Sequence, residues 1–93
     1  MPVKQCILDG SAIQSLDDLY GRLASGLSLP SYFGCTLDAL WDVLSADVEG
    51  PFEIVWKHAN ASKKAMGKDF DRIKKLLRDL EKERGDFKLK IEP

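Results

Sequence analysis

The chain has 93 residues, 44% of them hydrophobic and 31% charged, the composition of a single soluble globular domain near the lower size limit for folding without staples. Its apolar runs are only a few residues long, which excludes a membrane-spanning helix, and its two cysteines, Cys6 and Cys35, are too few for a disulfide framework and lack metal-ligand spacing. The net charge of −1 hides an asymmetry: residues 1–56 hold 2 basic and 8 acidic side chains, a balance of −6, whereas residues 57–93 hold 12 basic and 7 acidic, a balance of +5.

Val3 to Leu8 alternates and then turns apolar on both faces, which predicts a strand stopped by Asp9-Gly10. No signal-peptide pattern stands at the N-terminus, so the expected location is cytoplasmic, with both thiols free in a reducing compartment. Ser15 reads as an N-cap with Asp17 and Asp18 in the first turn behind it, where the helix dipole favours anions. Leu16, Leu19, Tyr20 and Leu23 form the apolar stripe of this helix, and Gly26 is its predicted end. Leu27 to Gly34 is a loop carrying Ser28, Pro30, Ser31, Tyr32 and Phe33. Thr36 caps the next helix, whose Leu37, Leu40, Trp41 and Leu44 fall within about 100° of one another. Asp38 and Asp42 lie one turn apart on the adjoining flank, and Gly50-Pro51 marks the exit.

Phe52 to Trp56 is dense in β-formers and reads as a buried central strand. His58 to Ala65 is weakly helical and broken by Gly67. Asp69 to Glu83 is the longest helix, with Phe70, Ile73, Leu76, Leu77 and Leu80 on its apolar face. After Gly85-Asp86, Phe87, Leu89 and Ile91 alternate with Lys88 and Lys90, which suits a strand at a sheet edge. The order is β–α–α–β–α–α–β with long, mostly helical connections. That predicts an α/β fold: one small domain over residues 1–93, a three-stranded parallel sheet with helices packed on it.

The basic C-terminal half interleaves its charges with acids along a helix, as a solvated face does, and shows no acid-free stripe for nucleic acid. The acidic half is more informative. No basic residue occurs between Arg22 and Lys57, and Tyr32 to Asp47 holds three aspartates behind two aromatics. Catalytic signals are thin: His58 is the only histidine and stands at a strand end, and Cys35 precedes a helix without a recognisable partner. There is no P-loop, zinc-protease, nucleophile-elbow or dinucleotide motif. The three aspartates match no cation loop, so neither metal nor cofactor is expected. Binding is the better reading. Asp38 and Asp42 are like charges at i, i+4, which costs a helix about 0.2–0.5 kcal/mol. They make sense as an anionic knob for a cationic hole, with Tyr32, Phe33 and Trp41 as aromatic anchors. The plainer alternative is a solvated surface with Trp41 in the core, since its helical angle fits a core position.

The run L-P-S-Y-F-G-C-T-L-D-A-L-W-D-V-L resembles the signature of the barstar family, intracellular inhibitors of a guanyl-specific extracellular ribonuclease. The family pattern is Leu-Pro-x-Tyr-Tyr-Gly-x-Asn-Leu-Asp-Ala-Leu-Trp-Asp. The resemblance continues through S-L-D-D-L, P-F-E-I-V-W, L-R-D-L and the last strand, covering essentially the whole chain. It implies a ribonuclease inhibitor rather than an enzyme, monomeric when free, whose partner is a nuclease with a basic active site. It further implies that Asp42 takes the place of a substrate phosphate, with Asp38 one turn earlier. Tyr32 packs on the enzyme, and Gly34 lets the loop backbone approach it. Asp79 stands for a partner-pairing glutamate on the last long helix. Phe33 replaces a second tyrosine, Thr36 an asparagine, Cys35 an acidic residue and Asp47 a tryptophan. Asp47 is therefore left outside the expected site, which comprises Tyr32, Phe33, Gly34, Thr36, Asp38, Trp41, Asp42 and Asp79. The altered rim leaves open an immunity factor for a different toxin nuclease, a non-inhibitory family member, or a small thiol-dependent enzyme.

Overall fold

The structure, a computed structural model, describes residues 3–93; Met1 and Pro2, the start of the expected domain, lie outside the described residues. Three strands, β1 (Lys4–Asp9), β2 (Phe52–Lys57) and β3 (Phe87–Ile91), form one parallel sheet in the order β1-β2-β3. Four helices connect them. Helices α1 (Leu16–Leu27) and α2 (Leu37–Asp42) lie between the first two strands, and α3 (Ala59–Met66) and α4 (Lys68–Glu83) lie between the second and third. A 3-10 turn over Gly10–Ala12 follows β1, and a π-helical turn over Val43–Asp47 extends α2. The parallel sheet, the central β2 and the edge position of β3 all agree with the sequence reading.

Register follows from the pleat. Lys4, Phe52 and Phe87 lie abreast, as do Cys6, Ile54 and Leu89. Cys6, Leu8, Phe52, Ile54, Trp56, Phe87 and Leu89 point to one face, where the helices deliver Leu19, Leu23, Leu40, Leu44, Ile73, Leu77 and Leu80 to the same core. Phe52 and Phe87 stack at 4.7 Å between centroids. Trp56 is fully buried, and its indole N–H donates to Ser62 Oγ (3.2 Å), which donates to the Gly10 carbonyl (2.8 Å), so its one polar atom is satisfied. The other face of the sheet is open: Gln5, Lys88 and Lys90 are exposed and Ile7 is 57% exposed. The far end of β1 is thus apolar on both faces without being buried on both.

One helix end differs from the sequence reading. Helix α1 runs past Gly26 and is capped by Ser28 in the left-handed region (φ 54°), with the Leu29 amide donating to the Ala24 carbonyl at 3.0 Å. Gly26 sits inside the helix because Cys6 lies against it; a Cβ there would collide with the Cys6 thiol. The glycine marks a close helix–strand approach, not a stop. The two N-caps are as expected: Ser15 accepts from the Asp18 amide and Thr36 from the Ala39 amide.

Candidate functional site

Helix α2 is short and two-sided. Leu40, Val43 and Leu44 are buried and fix it to the core, while Asp38 and Asp42 project from the opposite side and are exposed. Among the described residues neither carboxylate takes part in an ion pair or a side-chain hydrogen bond, whereas Asp69, Asp79, Glu81 and Asp86 are all engaged by cations. Thr36 sets the start of the helix through its 3.0 Å cap to the Ala39 amide. Its threonine hydroxyl does for the first turn what an asparagine side chain would do.

The loop before α2 places its aromatics differently. Phe33 is half-buried and meets Tyr20 edge-to-face, with centroids 5.6 Å apart and planes at 83°. Its inward position suits a ring without a hydroxyl. Tyr32 points out and is 72% exposed. Gly34 is exposed, and a Cβ there would meet only the Ala39 methyl at an ordinary 3.6 Å. Nothing inside the molecule requires glycine at that position. It is Cys35 that takes the left-handed backbone, at φ 51°.

A groove of about 430 Å³ separates α2 from α4, lined by Leu37, Asp38, Trp41, Arg72, Lys75, Leu76 and Asp79. Asp79 therefore shares a groove with Asp38 and Trp41. Its carboxylate accepts from Lys75 Nζ at 2.8 Å, one turn earlier, and that hydrogen bond holds its carboxyl below the usual range. Exposed helical pairs of this kind are weak, so Asp79 is open to a competing cation. Trp41 is half-buried, with part of its ring on the core and part in the groove, which unites the two readings of that residue.

Two residues outside the expected site complete the picture. The Tyr32 hydroxyl donates to Asp47 Oδ2 at 2.8 Å. An α-helix advances about 100° per residue, so five residues beyond Asp42 would put Asp47 roughly 140° away around the axis. The helix instead widens into a π turn closed by the Val48 amide on the Val43 carbonyl at 3.1 Å, and this wider turn swings Asp47 back toward the Asp42 side. The end of that turn is held by Arg84, whose Nη1 donates to the Leu44 and Val48 carbonyls, each at 2.7 Å. Arg84 is in turn forked onto Asp86 (2.9 and 2.8 Å) and lies 4.9 Å from the Phe52 ring centroid. The sequence gives no local sign of either bond, since one needs the loop folded back on the helix and the other joins residues 36 and 40 positions apart.

The expected site residues thus stand on two adjoining elements, the loop and α2, with Asp79 facing α2 across the groove. A family model described as Barstar (barnase inhibitor) matches residues 3–92 of this chain. The chain belongs to the barstar family. A curated barstar-like relative from Bacillus subtilis (strain 168), described as "Putative ribonuclease inhibitor YrdF", is 31% identical over 91 residues, covering 97% of this chain and 100% of the relative. The fold agrees with the barstar-like architecture anticipated from the sequence. Cys6 is buried, which pushes its thiol up, and Cys35 is exposed; both are free. Among the described residues no helix is long and apolar enough to cross a membrane.

Proposed function

We propose that this chain is a ribonuclease inhibitor that blocks the active site of a partner nuclease with α2 and the loop before it. A ribonuclease site gathers cationic groups to bind phosphate and stabilise developing charge. Carboxylates on a rigid helix satisfy the same groups without offering a bond to cleave. In this reading Asp42 and Asp38 form the electrostatic centre, and Tyr32 and Trp41 supply apolar contact. Gly34 permits close approach, Phe33 and Thr36 hold loop and helix in place, and Asp79 adds a flanking charge. The protein acts by binding alone, as a cytoplasmic monomer without a cofactor. Opposite charge also speeds encounter, since no basic residue interrupts residues 23–56.

The observation that carries this reading is the pair of exposed, unengaged carboxylates on one side of α2 beside a tyrosine that is 72% exposed. Membership of the barstar family supports the ribonuclease-inhibitor role, and the description of the Bacillus subtilis relative points the same way. The test is titration against a guanyl-specific bacterial ribonuclease, wild type beside Asp42→Ala, at low and high salt. The expected result is tight inhibition by wild type that weakens with salt and is lost by orders of magnitude in the variant. An inhibition constant unchanged in Asp42→Ala would sink the site assignment. The Tyr32–Asp47 bond, formed where the chain departs from the family pattern, favours a second reading: an immunity factor matched to a different toxin nuclease. A panel of purified ribonucleases and toxin nuclease domains separates the two.

A further inference from the structure

Tyr32 is the most exposed large aromatic among the described residues, and a free phenol in that setting would sample several rotamers. Here it is tethered. Its hydroxyl donates to Asp47 Oδ2 at 2.8 Å, fifteen residues further along the chain. Asp47 ends a π turn, the wider helical form that re-aims the residues within it. That turn would fray at its C-terminal end, where carbonyls lack helical partners and the dipole is negative. Arg84 prevents this by donating to two of those carbonyls, Leu44 and Val48, from a side chain only 15% exposed. Asp86 fixes both edges of the guanidinium fork, and the Phe52 ring lies 4.9 Å from its centre. A continuous set of contacts therefore runs from the sheet, through Arg84 and the π turn, to the ring of Tyr32. The hydrogen bond to Asp47 also pushes the Tyr32 phenol up.

We propose that Asp47 is a positioning residue for the binding loop: held by the Arg84-clamped π turn, its carboxylate fixes Tyr32 in the orientation that a partner nuclease meets. The proposal rests on the inhibitor reading for its partner, and on the structure alone for the strut. Its role is to order the free protein before binding, so that the complex does not have to order that side chain. It differs from a steering role, in which Asp47 would act through its charge at a distance.

The test uses the full chain and, as probe, a guanyl-specific bacterial extracellular ribonuclease. Association and dissociation rates are measured at low and high salt for wild type, Asp47→Ala, Asp47→Asn, Tyr32→Phe and the Asp47→Ala/Tyr32→Phe double variant. The Tyr32 phenol is titrated by ultraviolet absorbance in the free chain, identified by difference from Tyr32→Phe. Asp47→Ala and Tyr32→Phe should each speed dissociation by about two- to twelvefold, the factor that corresponds to ordering one side chain. The double variant should be no worse than either. Asp47→Asn keeps an acceptor oxygen and loses the charge, so it should dissociate within about twofold of wild type. The Tyr32 titration should move down in Asp47→Ala. It should also move down in Arg84→Lys, which keeps a charge and loses the fork.

Asp47→Asn dissociating as fast as Asp47→Ala, or additive losses in the double variant, would overturn the proposal. So would an effect confined to association and abolished by salt, since that is the signature of a steering charge. If wild type fails to bind the probe, the inhibitor reading falls and the phenol titration decides the strut by itself. A Tyr32 titration unmoved by Asp47→Ala then overturns it.

Discussion

Asp38 and Asp42 carry the same group on the same side of one helix, yet their surroundings differ. Asp38 stands in the first turn, where the unpaired amides and the dipole partly offset its charge. Asp42 stands at the last residue of α2, beyond that help and without an ion-pair partner among the described residues. In the free protein water solvates it; in a complex only the partner's cations do. Removing it leaves those cations desolvated and unpaired, a loss of about 3–5 kcal/mol, or roughly a hundred- to few-thousandfold in the inhibition constant. Asp38→Ala should cost less, and the order of the two effects is read in the same titration. Gly34 gives a second residue-scale test. A methyl group there meets only the Ala39 methyl at 3.6 Å within the chain. Gly34→Ala should therefore leave the urea midpoint unchanged or raise stability by up to about 1 kcal/mol. At a close interface the same methyl should cost about 1–3 kcal/mol of affinity. Unchanged affinity would take Gly34 out of the interface.

At the scale of elements, α2 is only six residues long and cannot persist on intrinsic propensity. Three things hold it: the Thr36 cap at its start, the buried Leu40, Val43 and Leu44 beneath it, and the Arg84 clamp on the π turn that continues it. Thr36→Ala should lower unfolding stability by about 0.5–2 kcal/mol, whereas Thr36→Ser, which keeps the acceptor, should lose much less. Urea unfolding followed by circular dichroism measures both. The same variant should weaken nuclease binding more than its stability loss in the folded population explains, because Asp38 stands in the turn being capped.

For the whole molecule, charge and pH matter together. The Arg84 fork holds the Asp86 carboxyl below the usual range, as Lys75 does for Asp79. A carboxyl depressed in the folded state binds fewer protons there than in the unfolded chain. Its stabilising contribution is complete above the unfolded value and is lost as pH falls through the folded one. The urea midpoint should therefore hold through neutral pH and fall once the medium is more acidic than the ordinary carboxylate range. Asp86→Asn should start lower at neutral pH and lose less on acidification, which a pH series of unfolding curves will show. A variant as pH-sensitive as wild type would remove Asp86 from that account.

The sequence by itself determined the element order, the parallel sheet and the side of α2 that faces outward. Those features rest on local physics: alternation in strands, the 3.6-residue stripe in helices, and caps at Ser15 and Thr36. It also determined family membership, because L-P-S-Y-F-G-C-T-L-D-A-L-W-D is long and continuous. Tertiary structure decided where locality fails. Gly26 reads as a helix stop until Cys6 is seen against it. Phe33 reads as a partner of Tyr32 until Tyr20 is found packed on its ring. Asp79 reads only as one end of a surface ion pair until the packing of α4 on α2 puts it in the groove with Asp38. Asp47, which helical arithmetic turns away from Asp42, is brought back by a π turn whose end is clamped from forty residues away by Arg84. Contacts of that range leave no periodic trace in a sequence, since each depends on where two separate elements come to rest against the same core.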